Sequence, residues 1–277
     1  MAQRRFFLST LCLSLSLAAG LLVHAEQTKA AEPVRCTVVL DAASGKALHR
    51  SGTCDVGFYP QSTFKLPIAM MGYDAGILID EHNPRWDYQA KFNRSEREQK
   101  ATDPTIWERD SIVWYSQEIT RRLGKKAFAD YVRGFDYGNH DVSGGPGGTD
   151  GLTESWLSSS LKISPDQQVD FLRRFMSGRL PISPEAVKLT QAIVPTFPAA
   201  DGWTVHGKTG AGWLRTKAGK PDRSRPLGWF VGWAEKDGRQ VVFARLLADT
   251  KRHTEQPISY TVRDGLIADL PGLAGTR

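Results

Sequence analysis

The chain has 277 residues, 40% of them hydrophobic and 24% charged, with a formal charge of +6. That length buries a core without staples and suits one large domain or two lobes sharing a site. The basic residues lie in short groups, as at Arg121, Arg122, Lys125 and Lys126, with acids between them and no aromatic interleaving. A solvated surface explains this pattern, and nucleic acid is excluded as a partner.

In chain order, Arg4 and Arg5 precede an apolar run from Phe6 to Val23, which ends at Val23, His24 and Ala25. Positive charge, an apolar stretch and a small residue at a cleavable site predict a secretory signal over residues 1–25, cut after Ala25. The domain is then 26–277, a periplasmic protein with no membrane association after signal removal. Cys12 leaves with the signal, and Cys36 and Cys54 remain as an even pair suited to a disulfide. Their hairpin leaves the bridge open, because pairing Asp41 with Lys46 across the turn sets Cys36 opposite Ser51.

Residues 37–40 and 46–49 read as the strands of that hairpin. Next comes the stretch Pro60 to Met71, which places Ser62 and Lys65 one helical turn apart ahead of an apolar run. A lysine amine in reach of a serine hydroxyl is what an activated nucleophile needs. Spacing alone does not identify it, since Ser159 and Lys162 repeat the pattern. Residues 80–105 read as loops and short helices. Apolar residues at Ile112, Val113, Tyr115, Ile119 and Leu123 predict a helix over 107–123 that contains Ser111. A second short helix covers 126–135. Residues 142–151 hold five glycines and a proline and form a loop. Ser164-Pro165 and Ser183-Pro184 each open a helix as cap and first residue, running to about 176 and 193.

Three strands follow, at 203–209, 227–235 and 240–247, the last two joined by Asp237-Gly238. The middle strand sets Leu227, Trp229, Val231 and Trp233 against Gly228, Phe230, Gly232 and Ala234, a mostly small face that a helix can approach closely. A helix at 259–270 closes the chain. Strands at both ends with helices between predict an α+β fold. One antiparallel sheet is assembled from the N- and C-terminal strands and flanked by helices, and an all-helical lobe is inserted at roughly 80–195.

Four tripeptide-scale motifs carry the chemistry: Ser62-Thr63-Phe64-Lys65, Ser111-Ile112-Val113, Tyr137-Gly138-Asn139 and Lys208-Thr209-Gly210. In this order and at these separations the chain resembles the class D (OXA-type) serine β-lactamases among the penicillin-recognising enzymes. Trp156 matches the tryptophan of that family's Ω-loop. The resemblance spans nearly the whole mature chain and selects Ser62 over Ser159.

It implies a β-lactam as the small-molecule substrate and Ser62 as the residue acylated. Lys65 is the base, N-carboxylated by CO2 or bicarbonate, in an apolar pocket of Phe64, Val113 and Trp156, with no other cofactor. Ser111 relays a proton to the leaving nitrogen. Lys208 and Thr209 bind the substrate carboxylate beside Gly210, and the amides of Ser62 and Ala211 form the oxyanion hole. Tyr137 and Asn139 support the site. The family's arginine early in the last helix has no counterpart between Gln256 and Tyr260, where Ile258 or Ser259 falls. The carboxylate is left to Thr209 and Ser111, or to an arginine elsewhere such as Arg252.

The histidines form no close metal-ligand pattern, which argues against a zinc enzyme. A Ser-Asp-Asn motif of class A enzymes is absent. The rivals are a transpeptidase of the same fold and a β-lactam sensor that stays acylated. The protein is expected as a monomer or homodimer.

Overall fold

The computed structural model describes Met1, residues 32–145 and residues 148–275. The secretory signal read over 1–25 lies outside them. No described helix is long and apolar enough to cross a membrane.

The first hairpin pairs β1 (Val34–Asp41) with β2 (Ala47–Gly52). Asp41 donates its amide to the Lys46 carbonyl, so the turn is the expected one. A bulge then slips the register, with Leu40 opposite Ala47 but Val39 opposite His49. Cys36 therefore faces Gly52 and not Ser51, and Cys54 comes within reach. The structure forms the Cys36–Cys54 disulfide, which the unbulged register had left open.

A 3-10 turn, Gln61–Phe64, leads into α1 (Lys65–Asp74). Every residue of α1 from Lys65 to Tyr73 is buried, so it has no solvent stripe. A helix apolar all round belongs inside a core. Pro67 is tolerated because it sits in the first turn, where its missing amide hydrogen has no helical partner.

Then come α2 (Pro104–Asp110) and α3 (Val113–Gly134). The single helix expected over 107–123 is thus broken at Ser111, which caps α2 in a left-handed conformation at φ 58°. Apolar spacing runs on through the break, because both helices face one core. Gly124, at φ 77°, interrupts α3 where the sequence separates its two helical stretches.

After α4 (Gly151–Glu154), α5 (Pro165–Met176) and α6 (Pro184–Ile193) start at their serine caps. The Ser164 hydroxyl accepts from the Gln167 amide and the Gln167 side chain accepts in return, a reciprocal cap. A short strand that the sequence did not signal, β3 (Thr196–Pro198), precedes β4 (Thr204–Arg215), β5 (Pro221–Lys236), β6 (Arg239–Ala248) and α7 (Ile258–Ala274). The hairpin of β4 and β5 continues well past Thr209, so Lys208, Thr209 and Gly210 lie in mid-strand and not at a strand end. The ladder takes in Ala211 to Trp213, paired with Gly228 to Pro226, beyond the strand bounds read from the sequence.

The six strands form one antiparallel sheet in the order β2-β1-β6-β5-β4-β3. It separates two cores. On one face Trp229, Val231, Val242 and Leu246 join α1, α3 and α5. On the other, Phe230, Val241 and Phe243 join Val262, Leu266 and Leu270 of α7. The small face of β5 admits α7 as expected: a Cβ on Gly228 would sit 3.0 Å from the Ile258 backbone. α5 packs on β1, β5 and β6, so the inserted segment supplies one cover of the sheet besides its own lobe.

Candidate active site

The turn that carries Ser62 is fixed from several sides. Gln61, just before it, adopts φ 53°, a conformation costly for a residue with a side chain. It is held there by its amide donating to the Trp156 carbonyl at 3.1 Å and by its side chain on Ser158. The Thr63 hydroxyl donates to the Pro60 carbonyl at 2.7 Å. The Trp229 indole donates to the Tyr59 carbonyl at 2.9 Å. Gln168 of α5 donates to both the Thr63 hydroxyl and the Tyr137 hydroxyl. Strain at Gln61 that so many contacts maintain is a sign of a pre-organised side chain beside it.

Within this frame Lys65 Nζ lies 3.4 Å from Ser62 Oγ. Lys65 is wholly buried, whereas Ser62 is half-buried and open to a substrate. Burial, with Lys208 adding to it, brings the Lys65 ammonium down to about 7. Phe64 stacks on Trp156, with ring centroids 5.4 Å apart, and meets Phe128 and Tyr137 edge-on. The indole nitrogen of Trp156 is buried without an acceptor among the described residues. Val113 differs from the expectation. It opens α3 half-buried, and its backbone amide donates to Glu98 at 2.7 Å.

From the other side, β4 delivers Lys208, 2% exposed, whose amine donates to Ser111 Oγ at 3.1 Å and to the Thr209 carbonyl at 3.3 Å. The left-handed turn at Ser111 aims its hydroxyl here. Thr209 is half-buried, Gly210 buried and Ala211 exposed along β4. Gly210 is required by close approach: a Cβ there would stand 2.8 Å from the Pro60 carbonyl and 3.0 Å from Thr63 Cγ2. Gly210→Ala is therefore expected to push β4 off the Ser62 turn and to cost ~100-fold in kcat/KM. The loss of folding stability should be smaller; steady-state kinetics beside thermal melting check both.

Tyr137 and Asn139 act at a distance. The Tyr137 hydroxyl is buried on Gln168, and burial raises its pKa. The Asn139 side chain ties the loop to the Ser160 carbonyl and the Lys162 amide. The second serine–lysine pair is not assembled: Lys162 is exposed, its amine 5.5 Å over the Tyr59 ring. Ile258 and Ser259 are buried at the start of α7. Arg252 instead lines a cavity of about 350 Å³ with Ala211, Trp213 and Arg223.

Sequence reasoning missed Gln61, Gln168 and Glu108. Gln61 and Gln168 act through hydrogen bonds that no spacing signals. Glu108 stands in Trp107-Glu108-Arg109-Asp110, which reads as a solvated charge run, yet it is 0% exposed.

Residues 35–265 match the model of the penicillin binding protein transpeptidase domain. β-Lactamase OXA-9 of Klebsiella pneumoniae is 48% identical over 248 residues, which are 89% of this chain and 90% of that protein. β-Lactamase OXA-1 of Escherichia coli is 35% identical over 76% of this chain and 75% of its own length. The crystal structure of the OXA-427 class D β-lactamase superposes with a TM-score of 0.80 at 41% identity, covering 87% of this chain and 98% of that one. The Ser62 turn, the buried Lys65 amine and Lys208 on β4 in this fold, together with relatives of this identity and coverage, establish that the chain belongs to the class D β-lactamases.

Proposed function

We propose that this protein opens the β-lactam ring through a Ser62 acyl-enzyme and releases the product by water, so conferring antibiotic resistance from the periplasm. The observation that carries the reading is the contact of Ser62 Oγ with a wholly buried Lys65 amine that is down to about 7. A lysine at its ordinary value near 10.4 is a poor base in neutral water, and one brought to about 7 is a fair one.

The surroundings of Lys65 fit its N-carboxylation. A neutral amine is the form that reacts with CO2, and burial supplies it. The orphaned Trp156 indole is a donor in need of an acceptor, and the Phe64–Trp156 stack keeps water away. Carboxylation would give Lys65 a base able to take the Ser62 proton and later to activate water. Ser111, bridged to Lys208, is placed to return a proton to the lactam nitrogen. Lys208 and Thr209 offer charge and a hydroxyl to the substrate carboxylate, and the amides of Ser62 and Ala211 offer donors to the oxyanion.

The test is nitrocefin hydrolysis by the purified protein, with and without bicarbonate. Multiple turnovers enhanced by bicarbonate, and lost in Ser62→Ala, are expected. One stoichiometric burst without turnover would overturn the hydrolase reading in favour of a sensor. Activity indifferent to bicarbonate would overturn carboxylation.

A further inference from the structure

Glu108 sits in the middle of α2, wholly buried, and neither of its carboxyl oxygens has a hydrogen-bond partner among the described residues. Such a group is expensive to keep and calls for a reason. Three residues on, the same helix ends at Ser111, whose hydroxyl receives the Lys208 amine at 3.1 Å. Among the described residues Lys208 donates only to neutral acceptors, Ser111 Oγ and the Thr209 carbonyl. Lys65, equally buried, touches the neutral Ser62 hydroxyl. Two buried amines and one buried carboxyl therefore act on one another through their charge, and among the described residues none of the three has a contact ion pair.

Two buried ammonium groups beside one carboxylate leave net charge in a medium that resists it. One ammonium with one carboxylate leaves none. The field decides which amine keeps its proton. Of the two cations acting on Glu108, Lys208 acts more strongly. Both amines are held up by Glu108 against a burial that leaves each below its ordinary value, but Lys65 alone is also driven down by the other lysine, while burial raises the Glu108 carboxyl to about 7.

The remaining groups around the cluster do not change the order. Tyr73 of α1 feels Glu108 as a neutral phenol raised by burial. α6, which packs on α2, carries its charged residues Glu185 and Lys188 exposed. Arg97 acts on both lysines and Glu98 on Lys65, from the segment before α2.

We propose that Glu108 is a positioning residue, the buried counter-charge that keeps the proton on Lys208 and so leaves Lys65 as the free amine of the pair. This rests on the catalytic reading above, in which Lys208 must be charged to meet a carboxylate and Lys65 must be neutral to accept CO2 or a proton. The two lysines, chemically alike and alike in burial, are made different by a group that touches neither reactant.

The experiment titrates the lysine side chains directly, in the full-length protein carrying 13Cε-labelled lysine, with no substrate present. In the native protein Lys65 is expected to lose its proton at lower pH than Lys208. In Glu108→Gln, which keeps the side chain's size, the Lys208 midpoint should fall by one pH unit or more. In Glu108→Asp it should return toward the native value. The alkaline limb of kcat/KM should move with it in Glu108→Gln, through KM more than kcat, giving ~10-fold weaker kcat/KM at pH 8. A folded Glu108→Gln protein whose lysine midpoints match the native ones would overturn the proposal. So would a uniform loss of melting temperature and kcat with no movement of either midpoint, the mark of a packing role. Midpoints that shift as stated in a protein that never turns over a β-lactam would overturn the catalytic reading and leave the charge assignment standing.

Discussion

Lys65→Met is expected to make the protein more stable while removing its turnover. The unfolded chain holds Lys65 protonated up to about pH 10.5, but the folded chain gives up that proton near 7. Between those values the unfolded state binds more protons, so native stability rises with pH across that window and the penalty of burying Lys65 is full below it. Each unit is about 1.4 kcal/mol, and the coupling with Lys208 and Glu108 argues for discounting the whole. An apolar side chain of similar length should therefore gain roughly 3 kcal/mol at pH 7 or below, or ~6–12 °C in Tm for a domain of this size. The gain should shrink as pH rises toward 10.5. Melting in CO2-depleted buffer at pH 6.5 and 9.5 measures it. Hydrolysis by the same variant should drop by ~100- to 10,000-fold, the usual contribution of a positioned base. A variant that loses stability at pH 6.5 would show that burial does not depress the Lys65 amine.

Phe64→Ala should be the most damaging single truncation near the site. Phe64 is 0% exposed and contacts three aromatic rings. Its loss leaves a cavity worth ~3–5 kcal/mol, with stacking terms included in the upper figure. The functional effect follows from what the ring excludes. Water entering beside Lys65 weakens the desolvation that depresses it, so the amine recovers toward its ordinary value. The acidic limb of kcat/KM should then move to higher pH, and more bicarbonate should be needed for half-maximal rate. Phe64→Leu fills most of the cavity and should restore most of both. Denaturant unfolding read beside the pH profile separates the two effects.

Where the sequence spoke clearly, a local rule acted alone. Ser164-Pro165 and Ser183-Pro184 mark true helix starts because a side-chain cap and a fixed φ are decided within three residues. The alternation in β5 marked a mostly small face open to a helix, and α7 packs there, since a strand's two faces follow from its pleat. Where it misled, the deciding partner lay far away. The left-handed Ser111 cannot be read from apolar spacing, which continues on both sides of it. The bulge that brings Cys54 to Cys36 is one residue of slippage in a hairpin whose turn was read correctly. Glu108 is the sharpest case. Its neighbours Arg109 and Asp110 are solvated and pair with each other, and only tertiary packing turns the glutamate inward.

The order of the sheet has a consequence for how this enzyme comes into being. β1 finds its inner partner only in β6, with Val38 against Ala244, so the central ladder joins segments from opposite ends of the domain. Such non-local pairing has no early reward, because the loop entropy is lost before the contacts form. The Ser62 turn rests on β4 and β5, and β5 in turn needs β6 along its far side. A chain arrested before Arg239 presents β1 and β5 as bare edges, open to other chains and to proteases. Synthesis of this domain is thus all or nothing, and resistance is tied to delivery of an intact last strand.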